Sequence, residues 1–184
     1  MRDYFSLDFI PQETNRILLK KIDSPEYFED FHNYSLQKEL YRYLEFSPFL
    51  TKKDTKIYLE KLNKRILTGK ADYRFLIFKD NHEFAGLFGF NSYDEHRRSI
   101  EFGYGVSPLM QRKGIFNEVS KHMIKSLFRD FNIHRIYSIT AVENLPSWKG
   151  LEKVGFQKEG ILRDFYKKNN KYFDAALYSL INNK

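Results

Sequence analysis

The stretch from Ser99 to Ile124, SIEFGYGVSPLMQRKGIFNEVSKHMI, constrains this chain more than any other. Ile100, Phe102, Tyr104 and Val106 alternate with Glu101, Gly103 and Gly105, the period of a pleated strand. Ser107-Pro108 ends that strand, because proline cannot donate to a ladder. Gln111-Arg112-Lys113-Gly114-Ile115-Phe116 follows, and then Val119, Met123, Ile124 and Leu127 recur at helical spacing. A strand, a short basic loop with one glycine and a helix make a physical device. The free N–H groups at the helix start and the helix dipole attract an anion, and Arg112 and Lys113 add full charge. Gly114 has no Cβ to keep the backbone away from that anion. The spacing predicts a phosphate site, best suited to a pyrophosphate. It is neither a Walker A loop nor the dinucleotide fingerprint, both of which need further glycines. Ordinary helix capping is the other reading of the same residues.

The remaining composition narrows the class. With 184 residues the natural expectation is one domain spanning 1–184 with a proper core. Hydrophobic residues make up 42%, so a folded globular chain is expected rather than a disordered one. Cysteine is absent, which removes disulfides, thiolate metal sites and a cysteine nucleophile, and suits a reducing cytoplasm. Met1-Arg2-Asp3-Tyr4 leads into no apolar run of signal-peptide type. No window approaches the roughly 18 apolar residues of a membrane helix. The net charge of +7 fits either simple solubility or an anionic partner, meaning nucleic acid, the ribosome or a cofactor's phosphates. The five histidines have no metal-ligand spacing, and His96 is placed in a loop where it is a candidate proton relay.

Taken in order, Arg16–Lys21 reads as a strand. Ser24-Pro25-Glu26 opens a helix with Ser24 as N-cap and an aromatic face of Tyr27, Phe28, Phe31 and Tyr34. Leu40–Leu50, broken by Pro48, reads as a loop or short helix that walls a pocket. Thr51-Lys52-Lys53-Asp54 starts a second helix with Ile57, Leu59, Leu62, Ile66 and Leu67 as its apolar set, ended by Gly69. Arg74–Lys79 and Glu83–Phe90 are strands joined by a tight turn, and Asn91–Arg98 is a polar loop that should shape the pocket. Past the central stretch come a strand at Arg135–Thr140 and a short helix at Pro146–Val154. A final hairpin at Phe156–Phe165 and Tyr172–Ile181 is joined through Lys167–Asn170. Strands interleaved with helices in this order imply a mixed sheet with helices on both faces, an α+β or α/β sandwich.

The loop Gln111–Phe116 is similar to Gln/Arg-x-x-Gly-x-Gly/Ala, the pyrophosphate loop of the Gcn5-related N-acetyltransferases, with Phe116 where glycine or alanine is usual. A second run carries the likeness further. His134-Arg135-Ile136, Asn144-Leu145-Pro146-Ser147, Glu152-Lys153-Val154-Gly155-Phe156, Glu159-Gly160 and Leu162-Arg163 follow one another as in the RimJ/RimL-type ribosomal-protein alanine acetyltransferases. Thr14-Asn15-Arg16-Ile17-Leu18-Leu19 resembles the opening strand of that branch. The resemblance implies the acyl-coenzyme A N-acyltransferase fold, with a mostly antiparallel central sheet of about seven strands.

It also implies acetyl-coenzyme A as cofactor, its pantetheine lying between the strand ending near Val106 and the strand Arg135–Thr140, which start side by side and splay apart. The pyrophosphate would rest on Gln111, Arg112, Lys113, Gly114, Ile115 and Phe116, with Asn144 holding the pantetheine. A backbone N–H near Val106 would serve the oxyanion. Glu101 is the first candidate for the base that deprotonates the amine; the alternative is an outward carboxylate paired with Arg97 or Arg98. Ser147 is the candidate acid toward the coenzyme sulfur, and the alternative is that Ser147 or Asn144 caps the helix. Tyr166 is a third catalytic candidate, standing where a member of that branch has a glutamate. The implied partner is a primary amine, on a protein terminus such as a ribosomal protein's or on a small molecule, with no metal or membrane and with the chain a monomer or homodimer. The competing function is a non-catalytic ribosome- or nucleic-acid-binding module on the same fold, motivated by the positive charge and by Phe116, which would crowd the phosphate loop only if its ring points at the phosphates.

Overall fold

The structure, a computed structural model, describes residues 12–183. The chain runs β1 (Ile17–Lys21), α1 (Phe28–Ser35), α2 (Lys52–Leu67), β2 (Asp72–Phe78), β3 (Phe84–Asp94) and β4 (Ser99–Val106). It continues through α3 (Ile115–Arg129), β5 (Arg135–Ala141), α4 (Leu145–Lys153), β6 (Gln157–Lys168) and β7 (Lys171–Ile181). The strands form one seven-stranded sheet in the order β1-β2-β3-β4-β5-β7-β6. Every neighbouring pair is antiparallel except β4 and β5, which are parallel. This is the mixed sheet with helices on both faces that the element order implied.

Each face has its own core. On one face Ile115, Val119, Met123 and Leu127 of α3 and Leu151 of α4 pack on Phe88, Phe90, Ile100 and Phe102. On the other, Phe31 of α1 and Leu62 and Ile66 of α2 pack on Tyr73, Phe75, Ile77 and Leu87. Strand β2 feeds both cores with alternate residues, so all of it is buried, as expected of a strand covered on both sides. Each fully buried Phe or Ile contributes roughly 1.5–3 kcal/mol by leaving water.

Local signals explain most boundaries, and some expectations need correction. Thr51 and Asp54 form a reciprocal capping box at the start of α2. Ser24 instead precedes a 3-10 turn at Pro25–Tyr27 and makes no side-chain cap, so α1 begins only at Phe28. Ile57 and Leu67 are exposed, because the sheet touches only the stripe of α2 that carries Thr55, Leu62 and Ile66. The polar segment expected as a loop from Asn91 is strand as far as Asp94: the ladder to β4 continues past a register shift between Phe90 and Ser92. The last hairpin turns on Asn169-Asn170 alone, both at positive φ, 49° and 61°.

Candidate active site

Strands β4 and β5 pair over three residues only, Ser99↔Arg135, Ile100↔Ile136 and Glu101↔Tyr137. Beyond that they separate while each keeps its outer partner, β4 pairing with β3 as far as Val106 and β5 with β7 as far as Ala141. Ser138 Oγ donates to Phe102 O at 3.3 Å just past the last pair and marks the apex of the fork. The inner edges of Gly103–Val106 and Ile139–Ala141 therefore face a gap, as the splayed-strand expectation required.

The basic loop lies at the open end of that fork. Pro108–Met110 makes a 3-10 turn, Gln111 is extended, Arg112 has φ 64° and Gly114 φ 78°, and α3 then begins. The α3 ladder opens with Glu118 N donating to Gly114 O at 3.0 Å, so the amides ahead of Glu118 have no partner within the helix. Gln111, Arg112 and Lys113 are exposed there, and Lys113 Nζ reaches back to Met110 Sδ at 3.2 Å. A further cation joins them: Arg16 donates to Lys113 O at 3.1 Å and to Glu118, its Nε lying 2.6 Å from Oε2. Thr14 Oγ1 donates to the other Glu118 oxygen at 2.6 Å, so the segment leading into β1 buttresses the loop from outside. Glu118 is lowered from its ordinary carboxylate range: burial opposes this, but the hydrogen bonds from Thr14 and Arg16 outweigh it. Asn117 Oδ1, one turn into the helix, is buried with no partner among the described residues.

Phe116 turns away from the loop. Its ring packs on Tyr104, with centroids 4.4 Å apart, and lies against Gly150 of α4, where any Cβ would crowd it at 3.1 Å. Tyr104 crosses the same face of the fork, and its hydroxyl is 2.7 Å from Ser147 Oγ. Burial pushes the Tyr104 phenol up to about 12, against the two serine hydroxyls that pull it down. Asn144 is the N-cap residue of α4 but makes no side-chain cap, and Ser147 is engaged with Tyr104, so the capping alternative for both side chains falls away.

The opposite face of β4 carries Glu101, Gly103 and Gly105. Glu101 accepts from Asn91 Nδ2 at 2.8 Å and from Ser92 Oγ at 3.3 Å, and Ser92 also meets Tyr137 Oη at 3.2 Å. The Tyr73 hydroxyl donates to Asn91 Oδ1 and completes this cluster. Arg97 closes on Asp94 at 2.9 Å instead of on Glu101, because the two flank one tight turn. Glu101 stands near the closed end of the fork, about 16 Å from Val106 at the rise of a β-strand. The turn that carries His96 lies beyond that closed end, away from the gap.

Past Glu101, the Tyr73 hydroxyl lies over Gly103 and the Tyr34 hydroxyl over Gly105, each where a Cβ would otherwise stand. Burial holds both phenols above their ordinary range. Tyr166, carried by β6 past an irregularity between Leu162 and Tyr166, donates to Ile139 O at 3.0 Å. Its phenol is also raised, by burial first and then by the charges of Glu101 and Glu45, so it is a donor at neutral pH. Beside it opens a small cleft walled by Arg42, Tyr43, Leu44 and Glu45 and floored by Ala141 and Phe173. The segment Leu40–Leu50 thus walls a pocket as its composition suggested. Sequence reasoning missed Tyr34, Tyr73, Tyr104 and Arg16 as neighbours of the site. Two glycines at alternate positions of one strand were the available signal, since glycine inside a strand marks a close approach.

The profile of the acetyltransferase (GNAT) domain matches residues 16–157. The chain belongs to the GNAT acetyltransferase family. A relative from Bacillus licheniformis, the uncharacterized N-acetyltransferase p20, is 30% identical over 168 residues, covering 91% of this chain and 94% of that protein. The same fold occurs in a Salmonella typhimurium acetyl transferase that modifies the N-terminal serine of a 50S ribosomal subunit protein (TM-score 0.81, 20% identity, 94% of this chain and 98% of that one). It occurs also in spermidine N-acetyltransferase from Vibrio cholerae (TM-score 0.77, 23% identity, 91% of this chain and 96% of that one). Among GNAT proteins the chain is therefore an N-acetyltransferase.

Proposed function

We propose that this N-acetyltransferase moves an acetyl group from acetyl-coenzyme A to a primary amine by direct attack of the amine. The observation that supports this reading is the gap between β4 and β5 opening beside a basic helix start. The residues fit the cofactor. The α-carbon of Gly114 faces open space, since an added Cβ would meet only Arg16 Nη2 at 3.7 Å. Bound there, the coenzyme supplies an acyl carbon activated as a thioester. Gln111, Arg112, Lys113 and the amides of Gly114, Ile115 and Phe116 would hold its pyrophosphate, and the side-chain amide of Asn144, which makes no helix cap, would take the pantetheine. A backbone N–H near Val106 stabilises negative charge on the acyl oxygen.

Only an unprotonated amine attacks. Glu101, fixed by Asn91 and Ser92, takes the surplus proton through water, because it stands too far up the strand to touch an amine at Val106. Tyr166 serves as a donor rather than a base, with its hydroxyl on Ile139 O and its charged form disfavoured. Ser147, whose Oγ lies 2.7 Å from the Tyr104 hydroxyl, would serve the leaving sulfur as a hydrogen-bond donor. The cleft between Arg42–Glu45 and Tyr166 admits the acceptor, a protein amino terminus such as a ribosomal protein's or a small amine. The ribosomal and polyamine acetyltransferases among the structural neighbours support those two acceptor classes. Phe116 turned into the core removes the steric ground for a non-catalytic binding module.

Calorimetric titration with acetyl-coenzyme A tests the reading, and no heat of binding at millimolar cofactor overturns it. A screen of peptide amino termini, polyamines and amino sugars, followed by release of free thiol, then identifies the acceptor.

A further inference from the structure

Packing alone accounts for the ring of Tyr104 but not for its hydroxyl. The ring sits on Phe116 and Phe88, with centroids 4.4 and 6.1 Å away. The hydroxyl leaves that apolar surface and spans the fork from β4 to α4, where the strands themselves no longer pair. Its partner Ser147 stands in the first turn of α4, yet the helix does not use that side chain as a cap. Either oxygen can donate across this contact, and the phenol, as the stronger acid, is taken as the donor to Ser147 Oγ. The serine then keeps its own proton to give elsewhere. The burial that keeps Tyr104 protonated to about 12 makes it a constant donor through the working range. The other titratable group that senses it is Tyr166, itself held neutral by burial.

We propose that Tyr104 is a positioning residue for the leaving-group side of the reaction: by donating to Ser147 Oγ it fixes the serine rotamer and turns the serine O–H toward the coenzyme sulfur. This rests on the acetyl-transfer reading above. The amine lone pair forms the C–N bond, and the C–S bond breaks with its electron pair on sulfur, where the Ser147 hydrogen bond stabilises it. The surplus amine proton passes through water to Glu101, and the sulfur takes one proton from water. Tyr104 and Ser147 each end with the proton they began with.

The experiment is a double-mutant cycle of Tyr104→Phe and Ser147→Ala, with Tyr104→Phe chosen because it keeps the ring. Each single variant is expected to lower kcat by ~10-fold with the KM for acetyl-coenzyme A changed by less than about 2-fold, the size of one hydrogen bond to a developing charge. The double variant is expected to match Ser147→Ala. Ser147→Thr, which keeps a hydroxyl, is expected to keep its sensitivity to Tyr104→Phe. A second readout needs no turnover: calorimetry at pH 8.5 with coenzyme A and with its desulfo analogue. The wild-type protein is expected to prefer coenzyme A by ~5–10-fold, and each single variant to lose that preference. Independent, multiplying losses in the cycle, an unchanged kcat in Tyr104→Phe, or an intact sulfur preference in Tyr104→Phe overturns the proposal. Absence of any coenzyme binding by the wild-type protein overturns the functional reading instead, and that result is seen before a variant is made.

Discussion

Two glycines on β4 lie on the same face of the strand but are confined to different degrees. A Cβ at Gly105 would collide with the Tyr34 hydroxyl, while the next atom of that ring, Cζ, is at an ordinary 3.6 Å. Gly105→Ala is therefore expected to cost about 1–3 kcal/mol by overpacking, and Tyr34→Phe in the same chain to restore most of it, as thermal melts of the three variants check. A Cβ at Gly103 would meet the Tyr73 hydroxyl, Asn91 Oδ1 and Tyr73 Cζ, the last two at 2.9 Å. Gly103→Ala is expected to be damaging whether or not Tyr73 keeps its hydroxyl. Gly114 is constrained by backbone, with φ 78°, and by what it faces. Gly114→Asp places a carboxylate where an anion is to bind, so acetyl-coenzyme A affinity in calorimetry is expected to fall by at least ~10-fold while far-UV circular dichroism is unchanged. The alternation of Glu101, Gly103 and Gly105 is visible in the sequence. Which hydroxyls fill the glycine positions is not, because Tyr34 and Tyr73 come from separate elements.

At the scale of elements, the site depends on ties between parts distant in sequence. Arg135 at the start of β5 makes a two-pronged pair with Glu159 of β6, at 2.6 and 2.5 Å, and Ser179 of β7 donates to the same carboxylate at 2.5 Å. These hydrogen bonds lower Glu159 to about 2. A depressed carboxylate stabilises the fold above its unfolded pKa, and that contribution disappears as pH falls from about 4.5 to about 2. The pair is partly exposed, so solvent screening limits its worth to about 1 kcal/mol or less. Glu159→Gln is expected to lower stability by that amount at pH 7 in urea unfolding, with the gap from wild type closing at acid pH. The fork supplies a second test. Segments 102–106 and 138–141 lack the partner strand on one side, so the amides that face the gap are expected to exchange readily in the free protein. Acetyl-coenzyme A is expected to slow that exchange, read by hydrogen–deuterium exchange mass spectrometry.

For the whole molecule, stability and ligand binding are linked. A cofactor seated at 100 times its Kd adds about 2.7 kcal/mol to unfolding, so acetyl-coenzyme A at saturation is expected to raise Tm measurably, and an unchanged Tm contradicts the fork as its seat. The two cores show why so much of the architecture was legible. Ile100, Phe102, Val119, Met123 and Leu127 follow strict strand and helix periods because each element buries one side against the sheet, and periodicity records burial. The basic loop was legible because a helix start and its glycine are local. Sequence by itself determined the element order, the mixed two-faced sheet and the basic loop at a helix start, all set by nearest-neighbour geometry and by which side of each element is apolar. Only the tertiary structure decided that Phe116 turns inward, that Glu101 answers to Asn91 and Ser92 rather than to Arg97, and that Tyr104 reaches Ser147 across the fork. Those choices depend on what neighbouring strands and helices leave unfilled, and a side chain's pattern along the chain carries no record of the space opposite it.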